Sequence, residues 1–357
     1  MKKYKILPFL IFAFVVVFGL DVKAQLGGLG GRDAFDAIAL PTSARVTALG
    51  GTLITVKDND VTLAQLNPAL ADSIMHQQLA FNHNFHFSGI SNGNVAYGHY
   101  VKKWRILTHA AIQYINYGAF DATDAFGNVN GEFNASEVAL VVGSSYQLNE
   151  RISGGINVKF LFGNYESFGS SGIGVDLGLH YQKPNNRTTW GLVLRNIGTE
   201  LQSLGSTRRS LPFDLQLGFS QKLQHLPFRF SIIGRHLHQP YIRYDDPEFD
   251  ITVDIFGEQT FRSSFSKNID NFFRHLVFSG EFLLGKRENF RLRFAYDHLR
   301  RQELRSSIFR SLGGFSFGFG ISIKKIKIDY GVGHYHLAGA VNHIGLRYNI
   351  GNIFNKF

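Results

Sequence analysis

The sequence predicts an all-β fold: a transmembrane barrel of about fourteen antiparallel strands, preceded by an N-terminal hatch or plug. Three observations support this prediction. Apolar residues alternate with small or polar residues in short segments from residue 78 onward. The links between these segments are short and long in a regular order. The chain begins with an export signal, and no later apolar run is long enough to form a membrane helix.

The clearest alternation lies between residues 314 and 332. Phe315, Phe317 and Phe319 alternate with serine and glycine, and Ile326 and Ile328 resume the pattern after two lysines. A strand points successive side chains to opposite faces, so each arm of this hairpin has one apolar face. That face could be the core of a soluble sandwich or the lipid-facing surface of a barrel, and the hairpin alone does not decide.

Fourteen segments share this strand character. The predicted strands are 78–87, 92–101, 105–120, 134–148, 151–165, 169–182, 188–201, 212–223, 228–239, 273–284, 290–302, 313–323, 325–337 and 341–350.

The links between the predicted strands favour the barrel. Links after even-numbered strands are short, whereas several links after odd-numbered strands are long, notably 121–133, 202–211 and 240–272. Outer-membrane barrels combine short periplasmic turns with longer external loops, and a soluble sandwich gives no reason for this order. Charged residues on the polar face, such as Arg291 and Arg293, are then expected to face the lumen.

The N-terminal region divides into a signal and a hatch. Residues 1–24 combine early lysines, an apolar run and a small-x-small site before Gln25, which predicts a secretory signal peptide. Residues 25–77 lack barrel alternation, and a short helix at 62–66 is expected to stop before Pro68. We therefore predict a hatch over 25–77 and an outer-membrane barrel over 78–357, with a long external loop at 240–272.

Composition argues against several functional classes. The 357 residues include no cysteine, so thiolate chemistry and disulfides are excluded. Lysine and arginine are scattered and form no stripe, so the net charge of +10 does not indicate nucleic-acid binding. Glycine-rich pieces precede no helix, and no Gly-x-Ser-x-Gly elbow joins a predicted strand to a helix, so we predict no enzyme and no cofactor. A surface hydrolase stays as a weaker alternative, because a catalytic triad need not be visible in sequence.

Two histidine pairs are candidate metal ligands. His236 and His238 share one strand face, as do His334 and His336. Zinc would need a further ligand, so we favour polar histidines in the lumen or at its rim and predict no metal site.

The longest predicted external loop is acidic in a basic protein. Its first half contains Asp245, Asp246, Glu248 and Asp250. Calcium binding, partner docking and a simple solvated loop all remain open, although no EF-hand spacing is present. We hypothesise that this loop and residues 121–133 form part of a partner-docking surface, because long loops are often functional.

The last predicted strand has the form polar-x-Gly-x-x-aromatic-x-hydrophobic. Gly345, Tyr348 and Ile350 hold the defining positions, and the sequence ends at Phe357. This pattern resembles the recognition signal of outer-membrane barrels.

Two family resemblances extend these predictions. Gly50 and Gly51, followed by Asn67, Pro68 and Ala69, resemble the N-terminal signature of the FadL-type barrels. That superfamily comprises fourteen-stranded outer-membrane proteins with a hatch, and it includes the PorV branch of the type IX secretion system. A wider resemblance to the PorQ family of that system is carried by segments 40–46, 113–118, 194–199, 244–247, 274–278, 301–304 and 335–343.

The second resemblance implies a non-enzymatic outer-membrane component of the attachment complex that joins secreted cargo to anionic lipopolysaccharide. The implied partners are a PorZ-like surface protein, PorU and PorV, together with outer-membrane lipid and lipopolysaccharide. The alternative is a FadL-like channel for hydrophobic small molecules. Selective flux through the purified protein in liposomes would favour that channel.

Overall fold

The computed structural model describes residues 33–244, 251–253, 259–305, 311–337 and 339–351. Within these ranges fourteen strands form a closed antiparallel barrel, as predicted. Each barrel strand pairs with the next one along the chain, and the first strand pairs with the last to close the barrel. The signal peptide predicted at 1–24 lies outside the described residues.

The strands are numbered in chain order. The barrel strands are β1 Gln78–Phe85, β2 Ser91–Val101, β3 Ile106–Thr123, β4 Val129–Gln147, β5 Ile152–Tyr165, β6 Phe168–Gln182, β7 Thr188–Gln202, β8 Asp214–Lys222, β9 Phe228–Gly234, β12 Leu276–Leu284, β13 Phe290–Asp297, β14 Phe315–Ile323, β15 Ile326–His336 and β16 Gly339–Asn349. Strands β10 Ile251–Val253 and β11 Gln259–Phe261 pair separately, within the link from β9 to β12.

The burial pattern of the barrel is the reverse of that of a soluble sandwich. Phe294 and Phe317 on the apolar face are each 42% exposed, whereas Arg293 and Asp329 on the polar face are 2% and 4% exposed. The apolar face therefore points outward, where a membrane would cover it, and the charged face points into the lumen. This pattern excludes the sandwich.

The helical elements lie outside the strands. Helix α1 is Ala44–Ala48, α2 is Ser264–Arg274 and α3 is His298–Glu303. Single 3-10 turns occur at Asp36–Ala39, Val61–Gln65, Pro68–Leu70 and Ser73–Met75. Among the helices of the described residues, none has the length and apolar character needed to cross a membrane.

Several predicted boundaries differ from the structure; for example, the strand predicted at 228–239 ends at Gly234. Residue 273 belongs to α2, so β12 starts at Leu276, and β13 stops at Asp297, where α3 follows directly. The predicted loop 121–133 is mostly strand, because β3 and β4 continue past a bulge and stack Phe120 on Phe133 with ring centroids 5.4 Å apart. The links 166–167 and 337–338 are also short, so the long external links are concentrated between β7 and β14.

Candidate functional site

The first candidate site is the barrel lumen, which the hatch fills. Hatch residues Leu53, Ile54 and Leu63 are 0% exposed, and they share a hydrophobic cluster with Val193 and Ile233 of the wall. The hatch thus gives the barrel a packed interior like that of a soluble domain.

Inward-facing glycines bring the hatch backbone against the wall. A Cβ atom added at Gly155 of β5 would lie 2.5 Å from the carbonyl carbon of Pro68, and one at Gly331 of β15 would overlap the carbonyl oxygen of Ala44. Both approaches are closer than any normal contact, so the lumen wall is shaped to the backbone of the hatch.

Arg45 of α1 is the centre of a buried ion-pair network. Its Nη2 atom lies 2.7 Å from Oδ2 of Asp58, and its Nη1 atom lies 3.3 Å from Oδ2 of Asp60. Its Nε atom donates to Oε1 of Glu281 on β12 at 3.2 Å. The Arg45 side chain is 1% exposed, so one guanidinium joins two parts of the hatch to the barrel wall inside the protein.

The network continues around the lumen through three barrel arginines. Arg229 contacts Asp58 and Glu281, Arg293 contacts Glu281 and Asp329, and Arg347 contacts Asp60 and Asp329. The set comprises four arginines and four carboxylates, so its formal charges cancel. Matching of this kind is what allows charged groups to be buried.

The hatch carboxyls are held ionised by this arrangement. Burial acts to raise the pKa of Asp58, but Arg229 and Arg45 outweigh it and hold that pKa well below its usual range. Burial likewise opposes ionisation of Asp60, but Arg347 and Arg45 lower its pKa. The ion pairs are therefore complete at neutral pH.

The residues of the FadL-type signature shape the hatch. Gly50 and Gly51 have φ angles of 83° and 90°, the left-handed conformation that glycine adopts without strain, and they turn the chain after α1. Asn67 donates to the carbonyl of Ile54 at 2.8 Å and accepts from the amide of Ala69 at 3.0 Å. Pro68 begins the 3-10 turn that follows. All five signature residues thus have conformational roles.

A small cavity remains between hatch and wall. Its volume is about 10 Å³, and its lining includes Phe35, Ile38, Gln113, Glu137 and Leu161. That is room for about one water molecule, whereas small-molecule sites occupy roughly 300 Å³ or more.

The second candidate site consists of residues 235–244, α2 and α3. We name it the external platform because it lies in links that are predicted to be external. Asp270 of α2 is its centre: Oδ2 accepts from Nε of Arg274 at 2.9 Å and of Arg243 at 3.2 Å, and Oδ1 lies 2.9 Å from Nε2 of His298. Burial acts to raise the pKa of Asp270, but the hydrogen bonds from His298 and Arg274 lower it. The platform is therefore held by charge pairs at the barrel rim.

The other predicted site residues are distributed as follows. Asp245, Asp246, Glu248, Asp250 and Phe357 lie outside the described residues. Gly345 faces inward on β16, where an added Cβ atom would overlap Oδ1 of Asn82. Tyr348 pairs with Leu79 and Ile326, and the amide of Ile350 donates to the carbonyl of Gln77.

The histidine pairs belong to the rim of the barrel. His236 lies 3.7 Å from Asp214, and the ring of His238 packs on Phe213. His336 packs on Phe87, and His334 lies 3.3 Å from the carbonyl of Phe315. Across the described part of the chain, no group of three or more His, Cys, Asp or Glu residues is placed to hold a metal ion.

Comparisons of the sequence with known proteins give one family. A family model described as "Uncharacterised protein family (UPF0164)" matches residues 15–203. A search of curated proteins gives no match.

Solved structures match at low identity. The Pseudomonas putida toluene transporter TodX is 10% identical with a TM-score of 0.51, over 86% of this chain and 96% of that chain. The CymD monoaromatic hydrocarbon channel is 12% identical with a TM-score of 0.50, over 87% and 96%. A Pseudomonas aeruginosa FadL homologue is 12% identical with a TM-score of 0.47, over 86% and 98%. At these identities, the first two likenesses establish the fold alone.

Proposed function

Because the chain belongs to the UPF0164 family and folds as a FadL-like barrel with a filled lumen, we propose that it is a plugged outer-membrane protein that anchors a surface partner. The single observation that carries this proposal is the burial of Arg45 among Asp58, Asp60 and Glu281. Removing the hatch from the lumen would separate charges that each depend on a partner. Breaking one buried pair costs about 3–5 kcal/mol, and this network contains several.

The finer part of the proposal concerns the partner. The PorQ-like segments support a role in the type IX secretion system, where the chain would hold a PorZ-like protein beside PorU and PorV. That complex attaches cargo to anionic lipopolysaccharide. Residues 235–244, the β10–β11 hairpin and α2 all belong to the link between β9 and β12, which is the longest link of the barrel. Its length supports this link as the docking surface for a partner. No catalysis is included in this proposal.

Shortening that link tests the anchoring role. Ile251 pairs with Phe261, so residues 251–261 can be replaced by a short Gly-Ser linker while α2 keeps its contacts. We expect the PorZ-like partner to leave the cell surface while the barrel still assembles. The matched control replaces residues 203–206 in the neighbouring external link and should retain the partner. Full retention after the first replacement would contradict docking at this hairpin.

A hydrophobic channel is the second candidate. It is favoured by the similar fold of the TodX toluene transporter and the CymD monoaromatic hydrocarbon channel, and by the apolar side chains of Phe35, Ile38 and Leu161 around the small cavity. Transport would require this cavity to widen to the size of a ligand. Uptake of a slowly permeating hydrophobic solute into vesicles with a lipopolysaccharide leaflet separates the two functions. Saturable, protein-dependent uptake would favour the channel, and uptake equal to that of empty vesicles would favour the anchor.

A further inference from the structure

Helix α2 is docked by its polar side. Asp270, Asn271 and Arg274 are 4%, 8% and 7% exposed and face the rest of the platform. Asn271 accepts from the amides of Ile242 and Arg243 at 2.9 and 3.1 Å and donates to the carbonyl of Pro240 at 2.9 Å. The hydrogen bonds that hold this helix therefore use the face that a surface helix normally turns to water.

The opposite face of α2 is apolar and uncovered. Phe265 is 75% exposed and Phe272 is 60% exposed, and Ile269 and Phe273 are 42% and 40% exposed. These positions follow the i, i+4, i+7, i+8 spacing that places side chains on one helical face. In water the exposed part of this stripe would cost free energy.

This stripe continues the outward surface of the barrel. The ring of Phe273 lies 6.4 Å from the ring of Phe278 on β12. Val277 and Ser279, on either side of Phe278 in the strand, face inward, so Phe278 faces outward. His298 lies 6.0 Å from Phe273 and 2.8 Å from the hydroxyl of Tyr296, an outward residue near the end of β13. The apolar face of α2 is thus contiguous with the belt that meets lipid.

We propose that α2 is an interfacial helix whose apolar face inserts into the acyl region of the outer leaflet. Helices that lie in a membrane interface carry phenylalanine or leucine on one face and charge on the other. Here the polar face is already held by hydrogen bonds to the rest of the platform, and the short turns at the opposite end of the barrel place α2 on the external side. The helix therefore widens the lipid contact of the barrel on one side only.

The absence of cysteine allows a direct test by single-site spin labelling. The variant Phe272→Cys places a label on the apolar face, and Phe126→Cys places the same label at the tip of the β3–β4 hairpin, where the native side chain is 92% exposed. Both positions are exposed, so each variant should fold, and heat-modifiable migration in gels checks this. The purified variants are placed in phosphatidylcholine vesicles, and collisions with oxygen and with a nickel chelate are measured.

The ratio of oxygen collisions to nickel collisions reports how deeply a label lies in the membrane, and we expect this ratio to differ in direction between the two positions. Oxygen collisions should dominate at residue 272, and nickel collisions should dominate at residue 126. Nickel dominance at both positions would overturn the proposal. A label at 272 that is exposed in vesicles but protected in native outer membrane would also overturn it, because a protein partner would then cover the helix.

Discussion

Arg45 shows how one residue joins the hatch to the barrel. Removing a guanidinium from water is costly, and the cost is offset here by three carboxylates within hydrogen-bonding distance. Two of these come from the hatch and one from β12, so the network is complete only when the hatch is inside the barrel. The ion pairs therefore specify where the hatch lies.

Replacing Arg45 by methionine should destabilise the protein by about 3–5 kcal/mol, because Asp58, Asp60 and Glu281 would lose a buried partner. Urea unfolding in lipid vesicles measures this change. The control Lys222→Met breaks an ion pair with Glu288 whose side chains are 41% and 36% exposed. Pairs of that kind contribute about 0–1 kcal/mol, so equal losses in the two variants would contradict a special role for Arg45.

The lowered pKa values of Asp58 and Asp60 predict an acid threshold. A carboxyl whose folded pKa lies below its unfolded value of about 3.9 stabilises the fold above that value and loses this contribution as the pH falls through the folded pKa. Planar-bilayer recordings should stay silent at pH 7 and 5, and current steps should begin only below about pH 4. The double variant Asp58→Asn with Asp60→Asn lacks both carboxyls, so its current steps should not begin at this pH threshold. Current steps in the wild type near pH 6 would refute this account.

The sequence could predict part of this network. Alternation along β13 placed Arg291 and Arg293 on the lumen face, and the structure agrees. It could not identify Arg45 and Glu281 as partners, because they are 236 residues apart and their contact depends on how the hatch is seated. The signal available in the sequence was Glu281 itself, which is the only charged residue of β12 and lies on its inward face.

Strands were predictable as elements because each satisfies one rule, an apolar face toward lipid and a small or polar face toward the lumen. Their ends were less predictable. Phe273 resembles the start of a strand, yet it belongs to α2, whose Asp270 and Arg274 pair at a spacing of four residues. Local charge pairing and capping, and not the apolar pattern, decide these boundaries.

Adjacent glycines on β5 allow a matched test of hatch packing. Gly155→Ala should destabilise the hatch, because the new methyl group would meet the backbone of Pro68 at 2.5 Å. Gly154→Ala points outward, where the nearest atom would lie 3.6 Å away, and it should be nearly neutral. Protease resistance of the hatch in the folded barrel is the measurement. Similar resistance in both variants would mean that the hatch is not closely fitted to the wall.

At the scale of the whole molecule, the fold separates three tasks. The outward face of the barrel meets lipid, and the hatch fills the lumen. The external platform extends beyond the barrel wall at its rim. Periodicity predicted the barrel, and the lack of alternation over residues 25–77 predicted a hatch, but the sequence left open whether the lumen is filled. It could not predict that α2 would turn its apolar face away from the protein, because the same stripe would serve equally well as a buried core.

Hydrogen exchange of the hatch amides at neutral pH tests the central claim most directly. The amides of Thr47, Gly51 and Asn67 donate to hatch carbonyls inside the barrel. If the hatch is a permanent filling, they should exchange as slowly as the amides of β13 to β15, and a hydrophobic solute such as toluene should not accelerate them. Exchange as fast as that of the external links, or a clear acceleration by the solute, would contradict the plugged barrel and favour a channel.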